Sequence, residues 1–135
     1  MVRADLTTGQ RMGDDSTTMR GRRAEQLAAR YLQAQGYRIL EQNYRARGAE
    51  VDIVAEEGDV LCFVEVRSRR SAAYGDPLET VDRRKQARVI RGARHYLAAR
   101  GASDRAVRFD VVGIVHEPSR TLRIVRGAFE VPGPW

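Results

Sequence analysis

The stretch GAEVDIVAEEGDVLCFVEVRSR, residues 48–69, decides the fold. Two runs rich in β-branched residues flank Gly58-Asp59, a dipeptide of the kind that closes a two-residue hairpin. With that pair as the turn, Glu57 faces Val60, and opposed residue numbers sum to 117 throughout. Asp52 then falls opposite Glu65, and Glu50 opposite Arg67. Alternate strand residues share a face, so these four project from one side. Val51, Ile53 and Ala55 lie against Cys62, Val64 and Val66 on the other, an apolar face that belongs in a core. Two carboxylates directly opposed sit ~4.5–5.5 Å apart at Cβ, and like charges there destabilise a sheet. A shared proton, a neighbouring arginine or a divalent cation must compensate. Mg²⁺ prefers oxygen ligands and is commonly held by one or two carboxylates plus waters, which Asp52 and Glu65 suit. Salt bridges from Arg67 or Arg69 to either carboxylate are the plain structural alternative.

Outward from the hairpin, the pattern predicts a helix over 16–35, capped by Ser16 or Thr17 and ended by Gly36. Its apolar stripe is Ala24, Leu27, Ala28, Tyr31 and Leu32, with Glu25 at the border. Arg20, Arg22 and Arg23 crowd its expected first turn, where the helix dipole disfavours cations. Strands are expected over 37–45, 49–56 and 60–69. A second helix follows over 81–100, closed by Gly101, with Gln86, Val89, Ile90, Ala93, Tyr96 and Leu97 inward. Strands over 106–116 and 121–126 finish the domain, with Pro118 in the turn between them. The order αβββαββ implies an α/β fold, a mixed central sheet flanked by helices. Residues 1–17 read as a disordered tail, 18–130 as one domain, and 131–135 as a C-terminal tail.

The 135 residues carry a net charge of +6, enough for one core and basic enough to attract polyanions such as nucleic acid. Of the 24 basic residues only Lys85 is a lysine, a bias that weakens any single arginine as a sign of phosphate recognition. One cysteine and two histidines exclude an internal disulfide and a Cys/His zinc site. No apolar run approaches the ~18 residues of a membrane span, and no signal-peptide core is present, so a cytoplasmic protein without membrane partners is expected. Cys62 reads as a core residue, His95 as a surface histidine, Arg108 and Asp110 as a structural pair, and Tyr74-Gly75-Asp76-Pro77 as a turn.

Gly48-x-Glu50-Val51-Asp52 followed by Phe63-Val-Glu65-Val-Arg67-Ser-Arg69 resembles the YraN family of bacterial endonuclease-like proteins. Ala24-Glu25, Asn43-Tyr44-Arg45, Tyr74 to Pro77, Lys85 and Arg108-Phe109-Asp110 match in order, over about residues 18–130. The family is similar to the PD-(D/E)xK nuclease superfamily, with a restriction-endonuclease-like core close to archaeal Holliday-junction resolvases. The resemblance implies that Asp52 and Glu65 hold Mg²⁺ or Mn²⁺, that the Val66 carbonyl adds a contact, and that Glu25 completes the site. Arg67 stands where the superfamily pattern has lysine. Arginine cannot serve as a base, but it can stabilise charge developing on a phosphate.

The implied activity is metal-dependent phosphodiester hydrolysis by an endonuclease acting on structured or branched DNA, with Glu25, Asp52, Glu65 and Arg67 as catalytic candidates. Arg45, Arg47, Arg69, Arg70, Lys85 and Arg88 are the candidate nucleic-acid contacts. Arg84, Arg88, Arg91 and His95 form one polar stripe, suited to a phosphate backbone or simply to solvent. Resolvases cut symmetric strands as dimers, so a homodimer is the family-level expectation. The alternative is a nucleic-acid-binding protein that keeps the nuclease fold without cleavage.

Overall fold

A computed structural model describes residues 12–79 and 81–133. The elements are α1 (Met12–Ala34), β1 (Arg38–Ala46), β2 (Ala49–Glu57), β3 (Val60–Ser71), a 3₁₀ turn (Ala72–Tyr74), α2 (Arg83–Arg100), β4 (Val107–Glu117) and β5 (Thr121–Phe129). The helix–strand order is the expected αβββαββ. The five strands form one sheet in the order β1-β2-β3-β4-β5. All neighbours are antiparallel except β3 and β4, which run parallel. Parallel neighbours need a long crossover, and α2 supplies it. Asp82 caps α2 by accepting from the Lys85 backbone N–H at 2.9 Å. Gly101 ends it at φ 63°, a left-handed conformation that suits glycine.

Two hydrophobic clusters sandwich the sheet. Ala24, Ala28 and Leu32 of α1 pack with Ile53, Ala55, Cys62, Val64, Val112 and Ile114. Val89, Ala93 and Leu97 of α2 pack with Val51, Val54, Leu61, Phe63 and Phe109 on the opposite face. Each fully buried Val, Leu, Ile or Phe side chain contributes about 1.5–3 kcal/mol. Both faces of the hairpin are covered, as expected for a central sheet flanked by helices: α1 packs on one and the crossover helix α2 on the other. Val51 leaves its predicted partners. It and Ile53 belong to different clusters although two residues apart, so the alternation of β2 breaks at Asp52.

α1 begins at Met12, not at Ser16, and takes in residues 12–17 that were assigned to the tail. Arg22 and Arg23 therefore lie well inside the helix, and the expected dipole conflict at its first turn does not arise. The rest of the proposed N-terminal tail, residues 1–11, lies outside the described residues, as do Pro134 and Trp135. β5 runs three residues past Arg126, and Phe129 stacks on Phe109 with ring centroids 5.0 Å apart. Val131, assigned to the C-terminal tail, packs against the α2 cluster.

Candidate functional site

The hairpin keeps its predicted register from Glu57–Val60 to Ile53–Val64. One step further the ladder stops, and a side chain takes over from the backbone. Asp52 Oδ2 accepts from the Val66 N–H at 2.8 Å. Asp52 and Glu65 thus sit where the two strands part, 8% and 7% exposed. Asp52 has this backbone donor. Glu65 Oε1 is buried and no donor among the described residues reaches it, so a proton shared with the Asp52 carboxyl is the contact open to it.

Four carboxylates influence one another here. Burial pushes Glu65 up to about 8, with the Asp52 charge adding to it and Lys85 opposing it. Burial also raises Asp52, while the Val66 N–H pulls it back. Glu25, from α1, is pushed up to about 7 by burial and by Asp52 and Glu50. A protein interior penalises clustered anions, so this site favours a proton or a cation. Lys85 stands between two of them, its Nζ 3.7 Å from Glu50 Oε1 and 3.8 Å from Glu65 Oε2.

Glu25, Asp52, Glu65, Val66, Arg70 and Lys85 open onto one cleft of about 750 Å³. Of the residues named from the sequence, Arg67 does not line the cleft, and neither do Arg45, Arg47, Arg69 and Arg88. The Arg67 guanidinium donates to the Glu79 carbonyl at 3.3 Å. Glu50, expected opposite Arg67, instead accepts from Arg88 at 2.9 Å and has Arg45 at 3.7 Å. Arg69 donates to the Ser68 carbonyl at 3.1 Å, and Arg47 is exposed in the β1–β2 turn. The polar stripe of α2 stays at the surface, with Arg84, Arg91 and His95 exposed, and two of its members bond the neighbouring β1 and β1–β2 turn: Arg91 donates to the Gly48 carbonyl at 2.9 Å, and His95 Nδ1 hydrogen-bonds the Tyr44 hydroxyl. The Arg88 side chain is thus committed to a carboxylate, so a phosphate would have to displace Glu50 from it.

Sequence reasoning missed the other wall of the cleft, formed by Arg23, Ser68, His116 and Arg120. Ser68 Oγ lies 2.7 Å from His116 Nε2. These residues meet because β3 and β4 pair in parallel from Leu61–Val107 to Ser71–Glu117, a register with no local signature.

A divalent cation fits the carboxylates to a definite extent. The Glu65 oxygen that no described donor reaches and the depth of the Asp52–Glu65 pair give an acceptor set that a hard cation satisfies while keeping waters. Among the described residues no three His, Cys, Asp or Glu side chains gather into a metal cage. Glu25 therefore faces the same cleft without closing a third ligand position. No described helix is long and apolar enough to cross a membrane.

The chain matches the model of the uncharacterised protein family UPF0102 over residues 24–114, a span holding both motif strands and all of α2. A UPF0102 protein of Anaeromyxobacter sp. (strain Fw109-5) is 44% identical over 120 residues, covering 86% of this chain and 90% of its own. One from Desulforapulum autotrophicum is 46% identical over 111 residues, covering 82% and 92%. One from Chlorobium chlorochromatii is 45% identical over 124 residues, covering 87% and 95%. With the match running through the strand fork, and relatives that agree along nearly their whole length, the chain belongs to the UPF0102 family, the YraN family whose motifs its hairpin carries.

Proposed function

We propose that this protein is a divalent-metal-dependent nuclease that hydrolyses phosphodiesters in structured or branched DNA. The observation that carries the reading is the buried Asp52–Glu65 carboxyl pair, with one Glu65 oxygen that no donor among the described residues reaches, in a cleft also lined by Arg23, Arg70 and Arg120. Asp52 and Glu65 would hold Mg²⁺ or Mn²⁺, with the Val66 carbonyl as an added contact. The cation would supply Lewis-acid neutralisation of the phosphate and a water acidic enough to attack near neutral pH.

The chain's own residues do the rest. Asp52 is held in place by the Val66 N–H, so the pair is preorganised. Arg23, Arg70 and Arg120 line the path of a phosphate backbone across the cleft. No feature selects bases, so recognition rests on backbone shape and charge. Water oxygen bonds to phosphorus as the bond to the leaving oxygen breaks, and the leaving oxygen departs with a proton. Arg67, tied to the Glu79 carbonyl, has no part in this scheme. Its displacement is what favours the second reading, a nucleic-acid-binding protein that has kept the fold and lost cleavage.

Calorimetric titration with Mn²⁺ tests the proposal without a guess at substrate. Wild type is expected to bind stoichiometrically, and Asp52→Asn and Glu65→Gln to lose that heat. Cleavage of branched and linear DNA by the metal-loaded wild type is the second expectation. Silent titrations for all three proteins, with and without DNA, would sink the nuclease reading. Salt-dependent DNA binding without cleavage would leave the binding-protein reading standing.

A further inference from the structure

Every basic side chain in this sequence but one is arginine. The exception, Lys85, lies in the first turn of α2, where the Asp82 cap fixes its backbone N–H. From there its Nζ reaches Glu65 of β3 and Glu50 of β2 at 3.8 and 3.7 Å. The arginine at the motif position, Arg67, points instead at a main-chain carbonyl.

A guanidinium does not substitute for this lysine. Its charge is spread over a planar fork whose donors point in fixed directions, whereas an ammonium is a compact charge with rotatable donors. Arg88, three residues along the same helix, makes the contrast: it closes on Glu50 at 2.9 Å and is not paired with Glu65. Lys85 stands between two carboxylates at distances beyond a tight hydrogen bond. It is 28% exposed and borders the cleft, so its ammonium can turn from Glu65 toward a phosphate bound there.

Close packing of α2 makes the reach feasible. Gly92 lies two turns after Lys85, on the same helix face. A Cβ at Gly92 would stand 2.7 Å from Val51 Cγ2 and 3.4 Å from the Glu50 backbone. The absence of a side chain there lets α2 lie against β2, and the helix start comes within reach of the carboxylates.

We propose that Lys85, delivered from α2, is the catalytic cation of this site and contacts the scissile phosphate in the role that the motif assigns to position 67. This rests on the nuclease reading above. Lys85 would donate to a non-bridging oxygen and neutralise charge as the transition state forms; no bond to Lys85 is made or broken.

The test uses the full chain, Mn²⁺ and a labelled DNA that the wild type cleaves, under single-turnover conditions. Lys85→Ala is expected to slow cleavage by about 10²–10³-fold, the usual loss for one transition-state donor. DNA affinity should fall by less than about tenfold, as one phosphate contact among several. Mn²⁺ affinity should hold or rise, because a competing cation has left the carboxylates. Lys85→Arg should not restore the rate, and Arg67→Ala should cost far less than Lys85→Ala. If alanine costs the fold, Lys85→Gln keeps the stem and carries the same expectations. Cleavage by Lys85→Ala near the wild-type rate would overturn the assignment while leaving the nuclease reading intact. So would a collapse of Mn²⁺ affinity in that variant, which would make Lys85 a support for the carboxylates. A wild type that binds Mn²⁺ but cleaves no DNA would remove the nuclease reading and this assignment together.

Discussion

Two buried carboxylate sites lie in the same sheet and differ in how fully their oxygens are bonded. Asp110 is fully buried and all its acceptor sites are engaged. Tyr37 donates to Oδ2 at 2.8 Å, Arg108 donates to both oxygens at 2.8 and 2.9 Å, and the Gly127 N–H donates to Oδ1 at 2.9 Å. Glu57 then binds both Arg108 and Arg126 and carries the network to the surface. At the strand fork the opposite holds: several carboxylates converge, no donor among the described residues reaches one Glu65 oxygen, and the only lysine stands off at more than 3.5 Å. A buried charge with all its bonds made stabilises the fold. One left incomplete costs stability and persists where something else is meant to complete it.

The sharpest way to break this comparison is to remove each carboxylate in turn. Asp110→Ala leaves Arg108, Tyr37 and the Gly127 N–H without their shared acceptor, and is expected to cost about 3–5 kcal/mol in urea unfolding. Glu65→Gln should act with the opposite sign. The Glu65 carboxyl is raised in the folded chain, so the native state holds a proton that the unfolded chain releases above about 4.5. Stability of the metal-free protein is then highest below that value and falls as pH rises toward about 8. Glu65→Gln should flatten this fall and leave the metal-free variant more stable than wild type at pH 9. Mn²⁺ should raise the wild-type melting temperature at that pH and leave the Gln variant unmoved. If Glu65→Gln destabilises the metal-free protein at pH 9, the two sites are alike and the comparison fails.

Smaller effects sharpen the contrast. Gly92→Ala forces Val51 or α2 to shift and should cost about 1–3 kcal/mol by overpacking. It should also lower Mn²⁺-dependent cleavage more than DNA binding, because the helix carrying Lys85 is displaced from the fork. Arg126→Ala removes an outer, half-exposed partner of Glu57 and should cost no more than about 1 kcal/mol, as surface pairs do. A larger loss in chemical denaturation would mean that the Asp110 network depends on its rim.

What could be read ahead of the structure was what is encoded locally. The Gly58-Asp59 turn fixes the hairpin register, and that register delivers Asp52 and Glu65 to one place. Helical spacing marks Val89, Ala93, Tyr96 and Leu97 as the inward face of α2. Distant pairings were not legible. The parallel register of β3 with β4 sets His116 and Arg120 into the cleft with Ser68 and Arg70, and no neighbouring residue signals it. The break in alternation at Asp52 moves Val51 to the α2 side and detaches Glu50 from Arg67. Arg67 fits the pattern by position, and its guanidinium donates to the Glu79 carbonyl in the loop before α2, a contact no local signal announces. Lys85 was legible as the lone lysine, while its reach to Glu65 depends on the close approach of α2 at Gly92.

The strand fork has a further consequence for the order of assembly. Asp52 and Glu65 belong to one hairpin, joined by a short turn and zipped by five backbone pairs from Glu57–Val60 to Ile53–Val64. Contacts this near in sequence carry a small loop-closure cost and form readily. The Asp110 network instead gathers Tyr37, just before β1, with residues from β2, β4 and β5, and awaits most of the sheet. Local contacts therefore set the spacing of the two carboxylates on the hairpin itself, and α2 and β4 then add the surroundings that bury them. Variation in either late-arriving element can retune the charge facing the pair without redrawing the pair.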